Sequence, residues 1–296
     1  MRTIHLSVEE SLPAGSIAPS AAAVGFFDGI HKGHQKVIQT ARQKAEELGV
    51  SSAVMTFDPH PSVVLNHKVK HASYITPLED KQEILSEMGV DILYVIRFNK
   101  KLASLSPQEF VEQFFIQLNI QHVAAGFDFS FGFKGQGSMD TLPELAQGRF
   151  TTSTVSRVEE EEEKVSSTRI RSFLDNGEME EVRRLLGRPF VVSGQINDPK
   201  RSDRLTVQLK RPYYLPKSGL YAVRLKAGRE SYEGAAIIYN NSAVEIYSIE
   251  SYNLEDEDTV SIEFYGYIRE IKKNGNFPDS VQKSIPSKQE VRQFLQ

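Results

Sequence analysis

The sequence predicts an α/β fold with a parallel sheet, followed by a smaller antiparallel β-barrel. Up to residue 186, short apolar runs alternate with amphipathic helical stretches, and the loops between them are short. This alternation is typical of a parallel sheet with helices on both faces. From residue 187 onwards, short β-branched or alternating runs are separated by turn residues, which is the pattern of a small barrel or sandwich. We expect one domain over 1–186 and a second over 187–296.

Apolar spacing predicts the elements of the first domain. Its strands are expected at "AAAVGFF" (21–27), "SSAVMTF" (51–57), "DILYVIRF" (91–98) and "HVAAGF" (122–127). Its helices are expected at "GHQKVIQTARQKAEELG" (33–49), "PLEDKQEILSEMG" (77–89) and "SPQEFVEQFFIQLN" (106–119). Gly49 is a suitable C-terminal cap for the first helix, and Ser106 a suitable N-terminal cap for the last.

The second domain is predicted to consist of short strands closed by one helix. The strands are expected at "FVVSGQI", "RLTVQL", "GLYAVRL", "AAIIYN", "AVEIYSI" and "TVSIEFYGYI", and the helix at "SKQEVRQFLQ" (287–296). Before this domain, the acidic run "EEEEE" (159–163) is typical of a solvated loop.

Composition excludes several classes of protein. The net charge of −4 gives no global positive field that would attract nucleic acid. The chain has no cysteine, which excludes disulfides, thiolate zinc sites and cysteine nucleophiles. The first residues lack the apolar stretch of a secretory signal, and no apolar run approaches the roughly 20 residues of a membrane span. We expect a cytoplasmic protein that binds neither membranes nor nucleic acid.

The stretch "GFFDGIHKGHQ" (25–35) joins the first predicted strand to the first predicted helix. Glycines such as Gly25 and Gly33 allow a tight turn and a close approach of the backbone to a ligand. The helix start offers free N–H groups and a positive dipole end, which together attract an anion. His31 and His34 can share one face there and donate hydrogen bonds to phosphate oxygens. The pattern therefore predicts a phosphate site.

Other interpretations of this stretch stay open. One histidine could lie exposed in the loop while the other caps the helix. Zinc is less favoured, because two histidines at a loop–helix junction lack obvious third and fourth ligands. The chain has no G-x-x-x-x-G-K-[ST] motif, so the stretch is not a P-loop.

Three further segments carry polar or aromatic side chains suited to ligand binding. "TFDPHP" (56–61) and "GFDFSFGFKGQG" (126–137) follow predicted strands, and the carboxyl ends of parallel strands are where such sheets bind ligands. In "SSTRIR" (166–171), a serine can cap a helix while Arg169 and Arg171 supply charge-assisted donors. Each segment also has a purely structural alternative. "TFDPHP" could be an ordinary polar loop, and the aromatic residues of "GFDFSFGFKGQG", such as Phe131 and Phe133, could belong to the core. "SSTRIR" could be a capped connecting helix without a ligand.

Five motifs carry a resemblance to a known family. H-x-G-H after a strand resembles the nucleotidyltransferase superfamily. With "GFFDGIHKGHQ", "TFDPHP", "LSPQEFVEQF", "AGFDFSFGFKGQG" and "VSSTRIRSFLDNG" in this order, residues 1–190 resemble the prokaryotic riboflavin kinase/FMN adenylyltransferase (FAD synthetase) family. The resemblance implies a Rossmann-like nucleotidyltransferase domain followed by a riboflavin kinase-like barrel.

The resemblance also implies roles for individual residues. The ATP site would comprise Gly25, Phe27, Asp28, His31, Gly33 and His34, with both histidines on the triphosphate. Ser167 and Thr168 would bind phosphate, and Arg171 would neutralise it, so that His31, His34 and Arg171 are the expected catalytic residues. The flavin and adenine side would comprise Asp58, His60, Asp128, Phe129 and Gly132.

The implied reaction is attack by the FMN phosphate on the α-phosphorus of ATP, which gives FAD and pyrophosphate. The nucleophile is already an anion, so alignment and charge neutralisation would supply the catalysis. Mg²⁺ is the expected helper, held mostly by substrate oxygens and water, with no protein ligands assigned to it.

The second domain departs from the family pattern. A riboflavin kinase domain should carry G-x-P-T-A-N, but "NDPKRSDRLTVQLKRPYY" (197–214) lacks P-T-A-N, and the turn after "GAAIIYNNS" (234–242) is shortened. Glu245 falls where the family places its catalytic base, although it could equally be a strand residue paired with Arg224. We expect a barrel without kinase activity and therefore a monofunctional FAD synthetase.

Three alternatives to this function remain. The chain could be bifunctional with a diverged kinase site. It could be a flavin-binding regulator without catalysis, or a transferase for another acceptor, of cytidylyl or pantetheine type.

Overall fold

The computed structural model describes residues 1–10, 17–66, 72–197, 205–239, 243–248, 254, 258–271 and 286–295. The chain forms two compact units. The first consists of Met1–Ala72 and Leu78–Val165, and the second of Ser73–Pro77 and Ser166–Gln296.

The first unit is built on a parallel sheet of six strands. In chain order the strands of the whole unit are Arg2–Leu6 (β1), Ser20–Val24 (β2), Ser51–Asp58 (β3), Ile92–Arg97 (β4), Ile120–Gly126 (β5), the short Ser130–Phe131 (β6) and Gly137–Ser138 (β7), Thr151–Val155 (β8), and the short Glu159–Glu160 (β9) and Glu163–Lys164 (β10). The sheet order is β1-β4-β3-β2-β5-β8, while β6 pairs with β7 and β9 with β10. From β2, chain order runs outward through β3 and β4 on one side and through β5 and β8 on the other, while the first strand, β1, lies beyond β4 at the edge.

Helices cover both faces of this sheet. They are Lys32–Leu48 (α1), Pro61–Leu65 (α2), Leu78–Glu87 (α3), Lys100–Ala103 (α4), Pro107–Val111 (α5), a π-helical turn Glu112–Ile116, a 3₁₀ turn Phe133–Gly135, and Leu142–Ala146 (α6). On one face Val37 and Ile38 of α1 pack with Leu85 of α3. On the other, Phe110 and Phe114 belong to an aromatic cluster.

Within the described residues, the second unit is a closed antiparallel barrel accompanied by three helices. Its elements are Ser167–Asn176 (α7), Met179–Leu186 (α8), Phe190–Asn197 (β11), Leu205–Leu209 (β12), Gly219–Ala227 (β13), Glu230–Ile238 (β14), Ala243–Ser248 (β15), Thr259–Arg269 (β16) and Lys288–Leu295 (α9). The barrel closes in the order β11-β12-β15-β14-β13-β16. Inward and outward side chains alternate along β11 and β16, as a barrel wall requires.

These observations confirm the predicted fold class. The second domain is a barrel rather than a sandwich. By compactness the chain divides after Val165 rather than after residue 186, because α8 packs against β11 and β16 of the barrel. The predictions for residues 198–204 and 240–242, where kinase motifs are missing or shortened, lie outside the described residues.

Candidate active site

The first unit has a topological switch point between β2 and β5. Strand β2 pairs with both β3 and β5. The strand that follows β2 in the chain, β3, lies on one side of this pair, and β8, which pairs with β5, lies on the other. Open α/β sheets bind ligands outside the carboxyl ends of the strands at such a point. The ends of β2, β3 and β5 and the segments that follow them carry all the predicted site residues except Ser167, Thr168 and Arg171.

The segment after β2 is a strained turn. The Gly25 N–H donates to the Met55 carbonyl at 3.1 Å, which ties the turn to β3. Phe27 and Ile30 then adopt left-handed backbone angles, with φ of 54° and 41°, although neither is glycine. Both side chains are buried, and such strain persists only where packing over-determines it. Asp28, between them, is also buried.

The turn ends at His31, which caps α1. His31 has an extended backbone, and its Nδ1 accepts a hydrogen bond from the His34 N–H at 3.3 Å. A neutral imidazole that accepts through Nδ1 carries its proton on Nε2. A Cβ atom on Gly33 would lie 3.2 Å from the His31 ring, so the close packing of this ring favours glycine there. The capping interpretation of one histidine is thus correct, and it is compatible with a donor at Nε2.

The two imidazoles form a stack. The ring centroids of His31 and His34 are 3.5 Å apart with an interplanar angle of 19°, and the Phe27 ring meets His34 edge-on at 5.3 Å. The buried Nδ1 of His34 has no hydrogen-bond partner among the described residues. Burial holds the pKa of His34 well below its usual range, with smaller contributions from His31, Lys81 and Lys164. The imidazole of His34 is therefore neutral at physiological pH and keeps one ring N–H group.

The segment after β3 contacts the turn at Phe26. The ring of His60 meets the Phe26 ring edge-on at 4.4 Å, and His60 caps α2 through its Nδ1, which accepts from the Ser62 N–H. The Asp58–Pro59 peptide bond is cis. Burial raises the pKa of Asp58, and the charge of Lys81 partly opposes this shift.

The segment after β5 presents an exposed aromatic side chain and an ion pair. Phe127 is 46% exposed, and the Lys164 ammonium lies 4.8 Å from its ring centroid while pairing with Asp128. Phe129 stacks on Phe131, which is buried in the aromatic core. The core interpretation is therefore correct for Phe131.

Two more residues complete this segment. Phe133 is exposed, so the core interpretation is wrong for it. Gly132 has a φ of +72°, and a Cβ atom there would lie 2.7 Å from the Pro107 backbone nitrogen. Only glycine fits both constraints.

The acidic run does not form a plain loop. Its residues build the β9–β10 hairpin, and the Glu160 carboxylate accepts from the Lys32 ammonium at the start of α1, at 2.5 Å. The hairpin also carries Lys164. The hairpin thus brings the carboxylate of Glu160 to Lys32 and the positive charge of Lys164 close enough to act on His34.

A sequence model of the FAD synthetase family matches residues 15–169, which include the histidine turn, the segments after β3 and β5, and the β9–β10 hairpin. The chain belongs to the FAD synthetase family. This confirms the resemblance carried by the five motifs.

Relatives and a solved structure extend the similarity to the whole chain. A Bacillus subtilis protein named bifunctional riboflavin kinase/FMN adenylyltransferase is 39% identical and covers 100% of this chain and 98% of its own. A Listeria monocytogenes protein of the same name is 39% identical over 93% and 92% of the two chains. A crystal structure of a Streptococcus pneumoniae protein described as a macrolide-efflux protein has a TM-score of 0.83 and 26% identity over 96% of each chain. These two bifunctional names do not bear out the expectation of a monofunctional enzyme.

The SSTRIR residues of this FAD synthetase family member lie on α7, in the second unit. Ser166 is the N-cap, since its hydroxyl accepts from the Arg169 N–H at 3.3 Å, so Ser167 and Thr168 occupy the first helical turn. The Arg171 guanidinium lies over the Tyr214 ring. Their predicted place in the ATP site stays a prediction.

Glu245, which matches the position of the family's kinase base, is hydrogen-bonded within the barrel. Glu245 accepts hydrogen bonds from the hydroxyl groups of Tyr239, at 2.6 Å, and Tyr247, at 3.2 Å. Arg224, which the sequence offered as a partner of Glu245, donates to Tyr265 at 3.0 Å.

Sequence reasoning missed two lysines of the site. Lys81 on α3 is 3% exposed and lies beneath the turn, and Lys164 reaches Phe127 and Asp128. Neither belongs to a glycine- or histidine-rich motif, so the sequence contains no local signal for them. Among the described residues, no cluster of three or more His, Cys, Asp or Glu side chains could hold a metal, and no helix is long and apolar enough to cross a membrane.

Proposed function

We propose that this FAD synthetase transfers the adenylyl group of ATP to FMN at the carboxyl ends of β2, β3 and β5. The observation that carries the proposal is the stacked pair His31 and His34 at the N-terminus of α1. The pair joins a helix dipole to a neutral donor and a polar atom that lacks a partner among the described residues. This combination suits a polyphosphate.

The histidine turn would hold the triphosphate of ATP. Unpaired N–H groups at the start of a helix and its dipole favour the phosphate charge. His31 would donate from Nε2, and His34 would donate as a neutral imidazole. The buried Phe27 would support the His34 ring, and Gly25 and Gly33 would keep the backbone close to the ligand.

The chemistry follows from these contacts. An oxygen of the FMN phosphate attacks the α-phosphorus of ATP, and the bond from that phosphorus to the oxygen leading to the β-phosphate breaks. Pyrophosphate leaves with the electron pair, and FAD forms. The attacking oxygen already carries negative charge, so no base has to remove a proton. Donors fixed before the reaction then stabilise the charge that accumulates around phosphorus. Arg171, Ser167 and Thr168 are proposed to add charge-assisted and neutral donors.

Mg²⁺ would reach this site with ATP. The described residues provide no dedicated carboxylate cluster, so the triphosphate and water would supply most of its ligands. When bound, the ion would neutralise charge on the phosphate oxygens.

The flavin would lie on the side of the segment after β5. Asp128 and Phe129 lie just beyond the end of β5, after Phe127, and the turn that follows them requires glycine at position 132. Asp58 and His60 flank the same end of the sheet. A cytoplasmic location and the lack of nucleic-acid binding stay predictions.

The test is FAD formation from FMN and ATP with Mg²⁺, followed by chromatography. H31A and H34A should each reduce kcat/KM by roughly 100-fold, the magnitude seen when one transition-state donor is lost. H5A removes an exposed histidine from β1 and should leave the rate unchanged. Wild-type rates in both site variants would refute the assignment. Flavin binding without any FAD formation would instead favour the regulator.

A further inference from the structure

One buried charge near the proposed site has no role in the chemistry described above. Lys81 lies on α3 and is 3% exposed, and lysine is seldom buried unless it is paired. Burial of a charge is costly, so an interior lysine is a candidate for a functional residue.

The ammonium group of Lys81 joins two parts of the chain. It donates to the Phe26 carbonyl at 2.7 Å and to the Thr56 hydroxyl at 3.1 Å, and that hydroxyl donates to the same carbonyl at 2.9 Å. It also lies 4.7 Å from the centroid of the Phe26 ring. We call these three groups, the Lys81 ammonium, the Thr56 hydroxyl and the Phe26 carbonyl, the Phe26 clamp.

The clamp acts on the most strained part of the proposed site. Phe26 directly precedes Phe27, whose φ of 54° begins the left-handed path that ends at the His31 cap. A backbone held in such a conformation needs outside support. The clamp supplies it from α3 and β3, two elements outside the turn.

The charge of Lys81 also acts on titratable groups of the proposed site. Asp28 and Asp58 are the charged groups that favour its protonated form, and Lys81 in turn acts on His34, which Lys164 also influences. Burial outweighs the two carboxylates and lowers the pKa of Lys81 to about 8. Lys81 is therefore a cation at neutral pH and becomes neutral in mildly alkaline solution.

We propose that Lys81 is a positioning residue for adenylyl transfer, which holds the histidine turn through the Phe26 carbonyl and contributes positive charge beneath it. The proposal rests on the proposed function of His31 and His34. Deprotonation would leave only two N–H donors on Lys81 and would replace a charge-assisted hydrogen bond by a weaker neutral one.

The first experiment compares K81M with the matched control K36M. Lys36 lies on α1 and is exposed, so K36M makes the same change away from the clamp. K81M should lower kcat/KM for ATP by about 10- to 100-fold, the range for a lost hydrogen bond to a charged group. Its unfolding midpoint at pH 7 should fall, because the strained turn loses its clamp and the buried Asp28 loses a neighbouring cation, so kcat/KM is measured at a temperature where the variant is folded. K36M should match the wild type in both measurements. Wild-type kcat/KM in K81M would overturn the proposal.

The second experiment is a pH profile, which a merely structural role would not move. In the wild type, kcat/KM for ATP should fall as pH rises through about 8, the pKa of Lys81 in the free enzyme. K81R stays charged, so it should restore part of the activity lost in K81M and lack this alkaline limb. An unchanged limb in K81R would overturn the proposal, even if K81M failed to fold.

The two proposals fail in different ways. If H31A and H34A lose activity while K81M retains it, the role of Lys81 alone is refuted. If H31A and H34A retain activity, the proposed site itself is refuted, whatever K81M does.

Discussion

The Arg171 guanidinium lies 5.5 Å from the centroid of the Tyr214 ring, and the Tyr214 hydroxyl donates to both carboxylate oxygens of Asp175, at 2.8 and 3.0 Å. Arg171 and Asp175 lie one turn apart on α7, whereas Tyr214 precedes β13 of the barrel. A barrel residue thus fixes both the helix and the side chain to which the SSTRIR motif assigns phosphate neutralisation. If Arg171 neutralises phosphate as proposed, the second domain contributes to adenylyl transfer independently of any kinase chemistry.

Replacement of Tyr214 should therefore impair FAD formation. Y214A removes both the ring under Arg171 and the hydrogen bond to Asp175. A cation–π contact at an exposed site contributes about 0.5–1 kcal/mol, so kcat/KM should fall roughly two- to fivefold. Y214F keeps the ring and should lose less. Y232A is the matched control, because Tyr232 also donates to a carboxylate on the barrel, that of Glu230. Equal losses in Y214A and Y232A would mean that the effect is general destabilisation of the barrel.

The buried state of His34 predicts how stability depends on pH. Its pKa is depressed in the folded protein by burial, whereas in the unfolded chain it lies at about 6.5. Below that pH the unfolded state binds more protons, so the free energy of unfolding should fall as pH decreases from about 6.5 towards the folded pKa. H34N removes the group and should lose less stability between pH 7 and pH 5. Urea titrations at both pH values measure the difference.

The matched control for this measurement is H5N, at an exposed histidine of β1. It makes the same substitution at an exposed position, so a change that H5N shares with H34N is not specific to the buried imidazole. If H34N and the wild type lost the same amount, His34 would not be the group that couples folding to protons in this range.

Much of the first unit is predictable from the sequence, because its helix caps and helix boundaries depend on residues that are neighbours in the chain. Helix α1 begins within a residue of its predicted start, ends in a left-handed Gly49, and Ser106 caps α5 through a capping box with Glu109. The segment at 21–27 was predicted as one strand, but β2 ends at Val24. Phe26 and Phe27 are as apolar as strand residues, and periodicity cannot detect the positive φ of Phe27.

Other features could not be predicted because they depend on contacts distant in sequence. Strands β1 and β8 lie at the two edges of the sheet and lack a continuous apolar run, so no strand was predicted there. Lys81 falls within a correctly predicted helix, where a lysine is expected on the exposed face. Its burial is compensated by a hydrogen bond from its ammonium group to a carbonyl 55 residues earlier in the chain.

The packing of Gly33 predicts a variant that separates activity from stability. In G33A the new Cβ would lie 3.2 Å from the His31 ring, which is itself stacked on His34. Alanine within a helix gains about 1 kcal/mol over glycine, which should offset the crowding. The unfolding midpoint should change little, while displacement of His31 raises KM for ATP, by roughly fivefold for about 1 kcal/mol of lost binding. A large loss of stability would show that the ring cannot move aside.

The kinase question is decided by riboflavin turnover. We predict that any phosphorylation of riboflavin by the barrel is slow, because the sequence lacks P-T-A-N and Glu245 accepts hydrogen bonds from Tyr239 and Tyr247. A catalytic base must be able to accept the substrate proton, and the two tyrosine hydroxyl groups compete for the Glu245 carboxylate. A phosphoryl donor must also be aligned closely with its acceptor, and the motif that would align it is missing. Incubation with riboflavin, ATP and Mg²⁺ should yield no FMN at a rate comparable to FAD formation from FMN. If FMN does appear, E245Q should abolish it, and the tyrosines would then position the base rather than occupy it. FAD formation from FMN in E245Q should be unchanged in either case, because adenylyl transfer is assigned to the other site.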